Sequence, residues 1–188
     1  MHKSLPCFTY RFFLFALLFI VFKAHAQLGV NSLVTAQQLV NNIIGQNVSV
    51  SNISLNCPSL ASGSFTANGT NLGLTGGIIL ATGNITNAVG PNTSGSITTA
   101  FNSIGDPDLD QIVSPDDTKD ACVLEFDITP KCDTLAIFFV FGSEEYPEYV
   151  GQMNDVFAFF ISGPGMPQQN IALIPGTATP ISINNVNI

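Results

Sequence analysis

"ACVLEFDITPKCDTLAIFFVFGSEEYPEYVGQMNDVFAFFIS", residues 121–162, decides the fold. Its first eight residues alternate: Cys122, Leu124, Phe126 and Ile128 point one way, Glu125 and Asp127 the other. That period of two is the signature of a half-buried strand. Pro130, Lys131, Cys132 and Asp133 then turn the chain. "LAIFFVF" (135–141) is apolar on both faces, as a strand in the middle of a sandwich is. "VFAFFIS" (156–162) repeats the pattern, so Phe139, Phe141, Phe157 and Phe159 are expected in buried strands. Between these runs lie Glu144, Glu145, Glu148 and Asp155. A chain this poor in charge has placed carboxylates against its most apolar segments.

Working outward, the rest of the chain reads the same way. "NVSVSNISL" (47–55) alternates, with a bulge expected near Ser51-Asn52. "GSFTANGTNLGL" (63–74) carries Asn68-Gly69, a hairpin signal. "GGIILATG" (76–83), "NIALI" (170–174) and "ISINNV" (181–186) are further strand candidates. One helix is expected at about 36–44: Thr35 and Gln38 form a capping box, Leu39, Val40, Ile43 and Ile44 make one face, and Gly45 can stop it. Short strands with few helical intervals predict an all-β fold, a sandwich or jelly roll of antiparallel sheets with that one short N-terminal helix.

The first 26 residues form a separate unit. Lys3 and Arg11 precede an apolar run from Phe12 to Phe22, and Ala24-His25-Ala26 follows. This is the build of a signal peptide cleaved after Ala26. The run is shorter than the roughly 20 residues that span a bilayer, although an uncleaved anchor is the alternative. Residues 27–188 then form one domain, with no membrane span after cleavage.

Loss of the leader removes both histidines and the only arginine. Lys119 and Lys131 remain against 13 acids, a formal charge of −11. Without His there is no Ser-His-Asp or Cys-His catalysis and no His-based zinc site. Without Arg, and with two lysines, there is no footprint for nucleic acid. Export implies an oxidising compartment in which cysteines pair. Of Cys57, Cys122 and Cys132, the first two are the pair to expect; a buried thiol is the alternative.

Charge is confined to one segment. Residues 27–105 and 156–188 contain no Asp, Glu, Lys or Arg. "DPDLD" sets Asp106, Asp108 and Asp110 at alternate positions, and "GSEEYPEYVGQMND" adds Glu144, Glu145, Glu148 and Asp155. Unit charges 4 Å apart interact by about 4 kcal/mol at an effective dielectric near 20. Calcium, which takes six to eight oxygens in irregular geometry, relieves such repulsion. These seven acids are therefore the candidate calcium ligands, Glu145 and Asp155 first. The plain alternatives are a solvated face and, for Asp106, an ordinary helix N-cap. An EF-hand is rejected: Asp117 stands at the twelfth position, but Gln111 occupies the place of the glycine.

Several blocks resemble the choice-of-anchor L domain: "ILATGNITNAVGPN" (79–92), "GDPDLD" (105–110), "ACVLEFDITP" (121–130), "VFGSEEYPEYVGQMNDVFAFFISGPG" (140–165) and "NIALIPGTATPISINNVN" (170–187). The resemblance spans about residues 35–187. It implies a secreted or cell-surface protein of Bacteroidetes-type bacteria, a family whose members often carry C-terminal type IX secretion signals. It implies no chemistry. No sorting domain of that kind follows here, and the last segment reads as a strand without a neighbour. The domain is therefore expected to continue past Ile188, and the mode of anchoring stays open.

The expected function is an exported binding or structural module, stabilised by calcium, with an extracellular glycan or surface protein as partner and adhesion as its use. A metal-free structural domain is one alternative. A glycoside hydrolase using two of these carboxylates is the other, although the mature chain offers only Tyr146 and Tyr149 besides core-like Phe as sugar platforms. The export reading has a direct check. N-terminal sequencing of the mature protein should begin at Gln27, and retention of Met1 in a membrane fraction would contradict it.

Overall fold

The computed structural model describes residues 27–186. The leader, with its cleavage site, lies outside them. The fold is antiparallel all-β with two short helices. In chain order the elements are β1 (Gly29–Asn31), α1 (Ala36–Ile43), β2 (Val48–Asn56), β3 (Ser62–Thr66), β4 (Gly76–Leu80), a 3-10 turn (Ile85–Val89), α2 (Pro107–Val113), β5 (Val123–Pro130), β6 (Val156–Phe157), β7 (Phe160–Gly163), β8 (Met166–Asn170) and β9 (Ile181–Ser182). The strands form a three-stranded sheet, β1-β3-β4, and three ribbons, β2-β5, β6-β9 and β7-β8.

Local signals account for several of these elements. The Thr35 hydroxyl accepts from the Gln38 N–H, and the Gln38 side chain accepts from the Thr35 N–H at 2.8 Å, so both halves of the capping box are made. Leu39 and Val40 are wholly buried on the inner side of α1, which packs on β2, β3 and β4. β2 pairs with β5 from Val48↔Pro130 to Asn56↔Val123, with the bulge between Ser51 and Ser54. Asn52 sits in that bulge at φ 51°, a left-handed conformation that Asn tolerates, and its side chain donates to Asp127. β5 shows the expected alternation, with Glu125 and Asp127 exposed and Leu124, Phe126 and Ile128 half-buried.

Cys57 and Cys122 form a disulfide, 65 residues apart in sequence, while Cys132 is free and exposed. The β2–β5 register explains the pairing, because continuing it one step past Asn56↔Val123 brings Cys57 opposite Cys122.

Five expectations are corrected. The 135–141 run forms no strand among the described residues. Leu72, Leu74, Leu173 and Ile181 lie along a groove with Ile137, Phe138 and Phe139, but Phe138 is 81% and Phe139 40% exposed. A run apolar on both faces needs cover on both, and this one has it on one. The 156–162 run is broken into β6 and β7, which pair with different neighbours, β9 and β8. Phe141, Phe157 and Phe159 are half-buried rather than buried, and the Phe139 and Phe157 rings sit 5.0 Å apart. Asn68-Gly69 makes a turn, closed by the Thr70 N–H on Ala67 O at 3.3 Å, but the returning strand starts only at Gly76. Finally, β8 ends at Asn170 and β9 at Ser182, short of the 170–174 and 181–186 strands expected.

Packing is close at β3, where a Cβ on Gly63 would collide with Asn31 O and Ile85 Cδ1. The disulfide is the most consequential link. Its removal in Cys57→Ala/Cys122→Ala should cost about 4 kcal/mol by the loop-entropy relation for a loop of this size. Urea denaturation measures this, and an unchanged midpoint would refute it.

Candidate functional site

The acidic loop runs from Ser143 to Asp155. Backbone bonds coil it: Tyr149 N–H donates to Glu145 O at 2.9 Å, and Gln152 and Met153 N–H donate to Tyr149 O at 2.9 and 3.0 Å. Asp155 closes the loop at the entrance to β6, where its carbonyl accepts from Ile183 N–H at 3.0 Å. The Ser143 hydroxyl links the two ends, accepting from Glu145 N–H at 3.2 Å and donating to Asp155 Oδ2 at 3.4 Å. The segment around Gly95 lies against the loop: a Cβ there would stand 3.3 Å from Glu144 O and 3.7 Å from Glu148 Oε2.

This geometry brings Glu144, Glu145 and Asp155 into electrostatic contact. Burial raises the Glu145 pKa above 4.5, and the charges of Asp155 and Glu144 raise it further. Burial also raises that of Asp155 above 3.8, helped by Glu144 and opposed by the Ser143 hydroxyl. Glu145 Oε2 is buried and has no hydrogen-bond partner. Glu148 is exposed.

The three aspartates of "DPDLD" have other work. Asp106 caps α2, accepting from the N–H groups of Asp108 and Leu109 at 3.0 and 3.1 Å. Asp110 accepts from the Thr118 N–H and hydroxyl, each at 2.6 Å, and these bonds lower its pKa. Asp108 accepts from Gln168 Nε2 at 2.8 Å. Among the described residues, no three or more His, Cys, Asp or Glu are arranged to hold a metal ion by themselves.

One acid was overlooked in the sequence. Asp120 is 7% exposed and adopts φ 53°. It accepts from Phe101 N–H at 2.9 Å, Ser103 N–H at 2.6 Å and the Ser103 hydroxyl at 2.9 Å. Burial pushes its pKa up, but these donors outweigh burial and leave it below the ordinary value. Its role is to pin residues 101–103 beside the start of β5. Its position two residues before a disulfide cysteine was the available signal.

The structure thus defines a small all-β module, cross-linked once, with a desolvated carboxylate loop at one sheet entrance. The chain belongs to the choice-of-anchor L domain family, whose model matches residues 29–188. Membership sets it among surface-anchored or secreted modules. No curated protein and no solved structure matches it. No helix among the described residues is long and apolar enough to cross a membrane.

The raised carboxyls set a pH dependence. Glu145 and Asp155 bind protons more tightly folded than unfolded, so their contribution to stability is present below the ordinary carboxylate range and is lost as pH rises through the raised values. Asp110 and Asp120 act oppositely, losing theirs as pH falls below 3.8. In chelator, stability should therefore peak at mildly acidic pH. Urea midpoints across pH 3–8 for the wild type and Glu145→Gln measure it, and the variant should show a flatter fall towards neutrality. Identical profiles would overturn the assignment.

Proposed function

We propose that this protein is an exported, cell-surface or secreted binding and structural module whose 143–155 loop is closed by a calcium ion. The observation that carries the metal is Glu145 Oε2, a buried carboxylate oxygen with no hydrogen-bond partner, set beside two further acids that raise its pKa. A buried charge without a partner is costly, and the mature sequence has two lysines and no arginine with which to supply one. Glu145 and Asp155 are the primary ligands, with Glu144 next. Because the acids alone do not complete a shell, the Ser143 hydroxyl, main-chain carbonyls and water supply the remaining oxygens, the mixed set calcium accepts. Glu148 has a peripheral part. Asp106, Asp108 and Asp110 stabilise α2 and its surroundings. The leader and the family support the location; adhesion to an extracellular partner is the use this location favours.

The same raised carboxyls would serve a glycosidase as proton donor and partner. Release of reducing sugar from polysaccharides, abolished in Glu145→Gln, would favour that reading instead.

The test of the metal is thermal unfolding with calcium, with magnesium and with chelator. At a hundredfold excess over Kd a ligand of the folded state adds about 2.7 kcal/mol. Calcium should raise the midpoint by several degrees, magnesium by less, and Glu145→Gln or Asp155→Asn should remove most of the gain. A melting curve indifferent to chelator, with no heat of binding, would leave only a solvated acidic face.

A further inference from the structure

A second feature shares no residue with the acidic loop. Between α2 and the β7–β8 hairpin lies a groove of about 360 Å³, lined by Asp108, Gln111, Phe160, Gln168, Gln169 and Asn170 among others. Its size falls in the range of about 300–1,000 Å³ typical of small-molecule sites. One hydrogen bond ties its two walls together: Gln168 Nε2 on β8 donates to Asp108 Oδ2 on α2 at 2.8 Å, across 60 residues of sequence. On the α2 side, Gln111 Nε2 donates to Pro107 O at 3.2 Å and to Asp108 Oδ1 at 3.4 Å. Asn170 Oδ1 accepts from Phe159 and Ala172 N–H, both at 3.0 Å, which fixes the hairpin's end.

These bonds leave a specific set of groups available. Gln111 spends both amide N–H groups, Gln168 keeps one, and both keep their amide oxygens as acceptors. Gln169 pairs with Ile161 and lies on the strand face opposite Gln168, so it lines the groove without turning its side chain to it. Asp108 retains lone pairs. Phe160, half-buried on β7, adds apolar surface. The Gln111 and Gln168 amides, one carboxylate and an aromatic surface match the hydroxyls and the C–H patch of a pyranose. No cationic side chain lines the groove, so a phosphate, sulfate or uronate would meet a carboxylate without compensation.

We propose that this groove binds a neutral saccharide, one sugar unit of an uncharged polysaccharide. Gln111 and Gln168 hydrogen-bond its hydroxyls, Asp108 accepts from a hydroxyl, and Phe160 carries its C–H face. The proposal rests on the export reading for where the ligand is met, and it is independent of the calcium ion.

Affinity electrophoresis of the mature protein, run with and without chelator, provides the test. The gels contain xylan, mannan or mixed-linkage β-glucan, with alginate and dextran sulfate as anionic comparators. At least one neutral polysaccharide should retard the protein, in chelator as well as in calcium, and neither anionic one should. Gln168→Ala alters one exposed strand position and should weaken retardation at least tenfold, with circular dichroism confirming the fold. Gln37→Ala on α1 should leave retardation unchanged. The proposal fails if no neutral polysaccharide retards the wild type, if an anionic one retards it as strongly, or if Gln168→Ala is retarded equally. Retardation only in calcium would place the sugar at the acidic loop and also overturn it. A protein that still melts higher in calcium but is never retarded would sink this groove and leave the calcium reading standing.

Discussion

The β2–β5 ladder, closed at one end by Cys57–Cys122, is the constraint on which the other elements depend. It joins a charge-free N-terminal segment to the acidic middle of the chain, and β3, β4, the 3-10 turn and α2 all fall inside the loop it closes. Pairing segments this far apart has an entropic cost that grows with the logarithm of loop length. Local helices and turns cannot offset it, because the core is small: Leu39, Val40, Ile85 and Ile183 are among its few large, fully buried side chains. A covalent link removes most of that cost from the unfolded state before any contact forms. Asp120 then fastens the loop near its far end, holding residues 101–103 beside the start of β5.

Signals whose partners are close in sequence were legible. Thr35 and Gln38 satisfy each other three residues apart, and the bulge at Asn52 needs only a residue that tolerates positive φ. The disulfide was legible only in part: export makes pairing the default, but three cysteines left the partners open, with a buried thiol as the alternative. Partners that lie far away were not legible. Nothing within 135–141 says which strand should lie beside it, and its apolarity states a need for cover without naming a source. The break in 156–162 is similar. Phe159 N–H bonds the Asn170 side chain and Phe159 O accepts from Ile171 N–H, so the run changes neighbours at a point fixed by an asparagine eleven positions on.

The candidate site divides along the same line. Charge segregation pointed to Glu145 and Asp155, and the fold brings them together through Ser143. The same reasoning overreached for Asp106, Asp108 and Asp110, whose spacing is also that of a capped helix start. N–H donors two and three residues away claimed Asp106 before any distant cation could. The amide groove left no mark in the sequence. Glutamines at 111 and 168 follow no motif, and Phe160 in an apolar run reads as core, although the strand break leaves it half-buried.

The acids between Asp106 and Asp155 illustrate one rule with two outcomes. A carboxylate leaving water needs donors to replace those it loses. Asp110 and Asp120 find them in backbone N–H groups and in Thr118 and Ser103, and their pKa values fall. Glu145 and Asp155 find one serine hydroxyl between them, and their pKa values rise. Two lysines cannot neutralise 13 acids, which is why the calcium ion proposed above is placed at this loop. Protons would relieve the repulsion but take away the ligand. A divalent ion would relieve it and keep both carboxylates charged, which is the physical ground for the calcium site proposed on the segment leading into β6.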